Sequence, residues 1–513
     1  MFPAPSSGTV WRVDGDSGRG FTITDTAAGT SVPVTLAPVP TSACDNYPEG
    51  QLDATGPTFS GSAPEGTVSG TVDAHTHVTA FELLGGDFHC GRSWHPFGIP
   101  SALPDCAGVQ QGVNGQVESF LDYGTPGHAH DTRGWPTFRA WPSPTDLAEE
   151  GDYYTGIKRA WMAGLRVMVT HLVDNEALSA LGTDLINRMI QQHFIVEVDH
   201  MDVKTGNNAL SLLEAHHYSG VVSAHDWDDP GENTRSYNLG GFVTPIAGAS
   251  PQSIVAQWHS SLKIRIPRFY NGTGFGYGAD MNGLAEQSQP TSGHPISYPF
   301  TSYDGRVRFD REQWGQRVFD LNHDGVANYG MYADWLQELQ TLAGRPILND
   351  MFHGAEAYVQ MWERAYGVPA GSCRPGRGSF AGGIGPLRLG GTTQALLYAA
   401  GQPAARPGPT YRYCVGGARG AVAAVFDGGG RVAMVASSAP GYRAAGVAPG
   451  TRVRALRRRA RRAVGNVWLG RRLQGGARFA YVVRRGRVAT LAVVSGPATQ
   501  RAALAADVRA AGL

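Results

Sequence analysis

The chain has 513 residues, 42% of them apolar, with 43 basic and 43 acidic side chains and a formal net charge of zero. This supports a sizeable core and two to four domains, and no apolar run is long enough for a transmembrane helix. The charge is unevenly placed: from Gln402 onward there are twenty Arg, no Lys, and only Asp427 and Asp507 as acids, so an acidic body carries a basic tail, which argues against a uniform nucleic-acid binder.

Residues 1–66 are rich in Gly, Ser, Thr, Pro and Val. The stretches 10–13, 21–24 and 32–36 read as short strands separated by turn residues, which predicts a small β module without a chemical motif. Thr67-Val-Ser-Gly-Thr-Val-Asp-Ala-His75-Thr-His77 follows, and its alternation predicts a strand. Positions i and i+2 of a strand project to the same face, so His75 and His77 point one way and make half of a first-row metal site. The alternative for an isolated pair is two solvated or core histidines.

From Val72 short apolar strands alternate with amphipathic helices for about 300 residues, a pattern of parallel strands with helical crossovers. Strands are predicted at 71–77, 166–171, 194–200, 220–225, 241–245 and a stretch ending at Asp280, with helices at 153–163, 178–192 and 208–218. A (β/α)8 TIM barrel over 67–370 is the expected closure, because its functional residues gather at the C-terminal strand ends. The polar residues His77, His171, His200, His225 and Asp280 fall at those ends.

Four segments then carry a resemblance. Gly164-Leu-Arg-Val-Met-Val-Thr-His171, Val196-Glu-Val-Asp-His200-Met, Val221-Val-Ser-Ala-His225-Asp and Gly278-Ala-Asp280-Met-Asn-Gly283 resemble, in order and spacing, motifs of the metal-dependent amidohydrolase superfamily. Their order is most similar to the membrane dipeptidase (renal dipeptidase) family. The chain departs from that family in opening with His-x-His where the dipeptidases have His-x-Asp. It also has no carboxylate in 134–142, where they carry a Glu bridging two metals; Arg139 and two Trp stand there, and Glu149, Glu150 and Glu197 do not match the place.

The donor set His75, His77, His200, His225 and Asp280 suits a borderline divalent cation, zinc first, and the missing bridge favours one ion over two. Asp280 is the expected proton acceptor and donor. The resemblance implies that His171 holds the substrate carbonyl or oxyanion and that Arg235 holds a substrate carboxylate. The expected activity is hydrolysis of an amide or ester bond in a small, peptide-like substrate. The alternative is a surface-associated binding protein whose barrel binds metal but turns over little.

Other histidines read differently: His128 and His130 follow Gly and Pro in a loop, His89 and His95 flank a loop near the first strand end, and His216 and His217 read as surface residues of a helix. Asp320-Leu-Asn-His-Asp324-Gly325 resembles the start of a calcium loop, but Met331 stands where the closing Glu would be, so a turn entering a helix at 332–342 is expected. Of the five cysteines, Cys90/Cys106 and Cys373/Cys414 are spaced for disulfides, leaving Cys44 odd. This fits a secreted protein whose leader is missing from this sequence; a cytoplasmic chain with free thiols is the alternative.

After a Gly-rich linker near 375–383, residues 380–513 predict an Arg-rich α+β domain with an internal repeat. Helices are expected up to 400 and over 453–463, and hairpins at 422–426/432–436 and 479–483/488–494. The run Arg457–Arg462 could bind an acidic polymer or be a solvated helix face, and the lack of interleaved aromatics argues against nucleic acid.

Overall fold

A computed structural model describes residues 11–16, 20–26, 28–34, 49–62, 67–78, 91–102, 142–144, 151–170, 180–201, 203–225, 230–268, 274–283, 286–290, 293, 295–380, 382–417 and 419–512. Two compact units divide the chain, 1–48 and 49–513.

The first unit holds a three-stranded antiparallel meander, Trp11–Asp16, Gly20–Asp25 and Ser31–Val34, with Val13 opposite Ile23 and Phe21 opposite Val34. The expected module runs to residue 66, but 49–62 belong to the second unit. There Gly50–Gln51 pairs with Gln313–Trp314, and Ala54–Thr55 pairs with Arg308–Phe309. A Cβ on Gly50 would lie 2.8 Å from Ile99 Cδ1 and 3.2 Å from Trp314 Nε1, so glycine lets this edge enter the core.

Within the second unit six segments line up in parallel. Leu165–Thr170 pairs with Thr71–Thr76, and Asp73 bridges Tyr277. Gly278 bridges Ile246, which follows Phe242–Val243, and this strand continues through Val221–Ser223 to Val196–Glu197. Every residue of Thr71–Thr76 is buried, as in parallel strands covered on both faces. Gly278 permits the close approach: a Cβ there would sit 2.0 Å from the Ala224 carbonyl oxygen. Helices Tyr154–Ala163, Ala180–Gln191 and Val203–Ala215 stand close to their expected places. Gly354–Ala365 lies across the strand starts, where Ala355 N donates to Gly70 O, Arg364 Nη2 to Gly240 O and His193 Nδ1 to Ala365 O.

The largest apolar cluster contains Tyr277, Tyr329, Tyr332 and Trp335. Beside it the guanidinium of Arg159, buried to the last atom, donates to Asp334 Oδ2 at 2.9 Å and lies 4.0 Å from Glu312 Oε2. Asp320 accepts from Asn322 N and caps the short helix Leu321–Asp324, so the calcium-like stretch is a turn ahead of helix Tyr332–Ala343.

Residues from Thr410 form a seven-stranded antiparallel sheet. Two meanders, 410–437 and 461–494, meet where Val432–Ser437 pairs with Arg487–Val494. The helix expected over 453–463 is only Val453–Leu456; Arg461–Val464 is instead the outermost strand, paired with Val467–Arg472. Cross-strand pairing of 461–464 supplies hydrogen bonds that an Arg-rich helix exposed on most sides could not exchange for packing. A disulfide joins Cys373 to Cys414. The tail belongs to the same compact unit as the body, yet its apolar clusters contain no residue before Phe380. The seam between them is polar: Gln402 and Arg406 bond to Glu363, and Arg364 bonds to Gln402. No described helix is long and apolar enough to cross a membrane.

Candidate metal centre

Three ligand atoms meet where Thr71–Thr76 ends beside the segment after Gly278. His75 Nε2 and His77 Nε2 are 3.0 Å apart, and Asp280 Oδ1 lies 2.9 Å from His77 Nε2 and 3.2 Å from His75 Nε2. His200 and His225 adjoin this triangle, with Nε2 atoms 2.8 Å apart and ring centroids 5.8 and 4.3 Å from that of His75. All but His200 are buried. The convergence spans 150 positions of sequence, from His75 to His225, because each residue sits at or just after the end of a parallel strand.

Two carboxylates hold the frame. Asp73 accepts from His75 N, Ala279 N and Tyr329 Oη, tying the His-x-His strand to the segment that carries Asp280. Asp199 accepts from Ser223 Oγ at 2.9 Å, from Ala224 N and from His225 N at 2.8 Å, fixing the turn that presents His225. His200 and Asp280 have φ of 62° and 47°, left-handed values that cost a non-glycine residue about 1–3 kcal/mol and are kept only where surrounding contacts impose them. Gly283 makes room for the result, since a Cβ there would lie 2.0 Å from Asp280 Oδ1.

Glu197 Oε1 lies 2.7 Å from His75 Nδ1. With Nδ1–H donating to Glu197, Nε2 is the His75 nitrogen that faces the triangle and would bind a cation once deprotonated; this carboxylate–histidine arrangement orients metal ligands generally. Burial raises Glu197 to about 7, against the pull of the His75 hydrogen bond. Burial opposes charge on His75 too, but its hydrogen bonds to Asp280 and Glu197 outweigh that and hold the ring protonated up to about 10. Burial likewise opposes charge on Asp280, yet the hydrogen bonds from His75 and His77 keep its carboxyl well below the usual range. His225 is drawn down to about 4 by burial, and His200 is lowered for the same reason.

The donor set fits a cation. Ligand bonds of about 2.1 Å place neighbouring donors about 3.0–3.4 Å apart around one ion, the spacing of His75, His77 and Asp280. Among the described residues, three groups could hold a metal: His75/His77/Asp280, His75/His200/His225 and Glu197/Asp199/His225. A cation in the first would displace the proton that His75 holds, so binding and deprotonation are coupled.

Glu197 and Asp199 are the site residues that the sequence reading did not place. The signal was present: in Val196-Glu-Val-Asp-His200 the two acids stand two positions apart, the spacing of one strand face, beside a candidate ligand histidine. Arg235 is occupied elsewhere, with Nε and Nη2 each 2.8 Å from the Glu214 carboxylate and Nη1 2.6 Å from Asn207 Oδ1. His216 and His217 are exposed just after helix Val203–Ala215. His171, His89, His128, His130, Glu149, Glu150, Arg139, Cys44, Cys90 and Cys106 lie outside the described residues. A cavity of about 430 Å³ opens on the strand-start side, between Phe194, Tyr358, Trp362 and Tyr366, and reaches Glu197. Comparison of the chain with protein-family models, with curated proteins and with solved structures finds no match.

Proposed function

We propose that the chain is a metal-dependent hydrolase of an amide or ester bond, built on a (β/α)8 barrel of the amidohydrolase type and acting on a small, peptide-like substrate outside the cytoplasm. The six parallel segments and the placing of polar residues at their ends support the barrel. The observation that carries the function is the convergence of His75, His77 and Asp280 within 3.2 Å, with Glu197 fixing the His75 tautomer.

One zinc ion is proposed, held by His75 Nε2, His77 Nε2 and Asp280, with His200 or His225 completing the set. Glu197 engages Nδ1 of His75, which leaves that ring a single nitrogen for a single ion. When bound, the ion supplies Lewis acidity, lowering the pKa of water to about 7 and polarising a carbonyl. Asp280, ionised at neutral pH, takes the proton of the attacking water and returns it to the leaving group. The histidine of the 200/225 pair that does not ligate faces water or substrate, and His171 is assigned the carbonyl oxygen. Arg235 has no part in this reading, since Glu214 occupies it.

The test is an assay of zinc-loaded and metal-stripped protein on dipeptides, p-nitroanilides, lactones and phosphoesters, with Asp280→Asn as control. Zinc-dependent turnover of an amide or ester, lost in the variant, is expected. Tight zinc with no turnover on any substrate would leave the binding-protein alternative; turnover unaffected by chelation would overturn both.

A further inference from the structure

The tail carries a feature independent of the metal centre. Between Gly428 and Ala506 the sequence has sixteen Arg and no Asp, Glu or Lys, which leaves a net charge of −16 for the rest of the chain. Fifteen of these arginines are exposed, and twelve of the fifteen, all those from Arg452 to Arg487 except the half-buried Arg478, lie on the short helix, outer strands and hairpin turn at one edge of the seven-stranded sheet. Arg461 and Arg462 lie on the outermost strand, and Arg457 and Arg458 lie in the short link that leads from helix Val453–Leu456 into it. The turn carrying Arg484 and Arg485 is drawn to the same edge, because Val453 N donates to Gly486 O at 2.9 Å and Arg452 bridges Arg487.

A few charges suffice to keep an edge strand from pairing with other chains, and a surface shaped for solubility intersperses both signs. This edge has one sign only. Among the described residues none of the twelve forms an ion pair, whereas Arg159, Arg235, Arg265 and Arg406 of the body and seam each have a carboxylate. Like charges held together without counter-charge raise the local potential, which a polyanion relieves. The side chain used is the planar fork that grips phosphate oxygens in pairs. No large apolar side chain between 428 and 506 is exposed among the described residues, and Trp468, opposite Arg462, is half-buried against the tail core, so the edge offers bases little to stack on.

We propose that this edge binds a linear polyol-phosphate polymer, recognised through its phosphodiester groups alone. The test titrates the zinc-loaded full chain with fluorescent poly(glycerol phosphate), with oligo(dT) and poly-L-glutamate as further arms. Poly(glycerol phosphate) should bind at 50 mM salt and weaken at least about tenfold by 200 mM, as counterion release requires. Poly-L-glutamate should bind at least about tenfold more weakly, since carboxylates are spaced and shaped differently. The variant Arg457→Glu/Arg458→Glu/Arg461→Glu/Arg462→Glu should lose at least about tenfold in affinity with an unchanged melting temperature, since all four positions are exposed. The control Arg188→Glu/Arg306→Glu/Arg308→Glu, also at exposed positions, should keep full affinity. Absence of binding, equal binding of poly-L-glutamate, tighter binding of oligo(dT), or an equal loss in the control would each overturn the proposal.

Discussion

The body and the tail use the same residue types to opposite ends. In the body, charge is buried and answered: Arg159 lies between Asp334 and Glu312, Arg265 meets Asp350, and His75 lies between Glu197 and Asp280. In the tail, the sheet interior is mostly Val, Ala, Leu, Phe and Tyr, and the arginines of the outer edge stand outside it without acids. Parallel strands explain part of the difference, because their ends converge and bring polar groups from distant sequence to one place. An antiparallel meander packs its interior from local hairpins and leaves its edge for whatever the surface requires.

The largest effect that can break this comparison is at the triangle. His77→Ala should reduce metal retained after dialysis from close to one equivalent to under about a tenth, with hydrolysis falling at least about a thousandfold, because the proposed set loses one of its four protein ligands. Two equivalents surviving dialysis in the unaltered chain would overturn the single-ion assignment.

Arginine replacement separates the regions next. Arg159→Met should cost about 3–5 kcal/mol in denaturant unfolding, since Asp334 and Glu312 would remain buried without their cation. Arg461→Met, at an exposed edge, should stay within about 0.5 kcal/mol. Similar costs at both positions would erase the distinction. Cys373→Ser should destabilise the tail by about 2–4 kcal/mol by opening a loop of 41 residues, while metal content is unchanged, because the two cores are separate.

Glu197→Gln should weaken metal binding by about 10–100-fold, read by competition with a chromogenic chelator, and leave the fold intact, because the residue orients a ligand without being one in the proposed set. The smallest effect concerns pH. Burial raises the Glu312 carboxyl to about 7 from an ordinary 4.5. Between those values the folded chain keeps a proton that the unfolded chain has lost, so this group favours the fold fully below about 4.5 and progressively less as pH rises through 7. Glu312→Gln should flatten that decline in melting temperature between pH 5 and 8, and an unchanged slope would remove Glu312 as its source.

Much of the body was legible because period and punctuation agree with the fold. The strands predicted at 71–77 and 166–171 lie within one residue of Thr71–Thr76 and Leu165–Thr170, and the helix at 153–163 within one of Tyr154–Ala163. The His-x-His pair was readable since a strand places alternate side chains on one face. The helix at 453–463 was misjudged because Arg and Ala favour helix locally, whereas pairing with Val467–Arg472 decided the outcome. The extent of the N-terminal module was misjudged because Gly50–Gln51 and Ala54–Thr55 find their partners more than 250 positions later.

By itself the sequence determined the run of strands and helices, the five side chains with metal-ligand chemistry, the uneven charge and the cysteine pair that closes the tail, all of which depend on residue type and near neighbours. Tertiary structure alone decided that Glu197 turns to His75 Nδ1, that Asp73 and Asp199 tie neighbouring strand ends, that Arg235 belongs to Glu214, and that the tail arginines share one unanswered edge. A hydrogen bond is made or missed within a few tenths of an ångström, and such distances between residues far apart in the chain follow from strand register and packing, which no local pattern encodes.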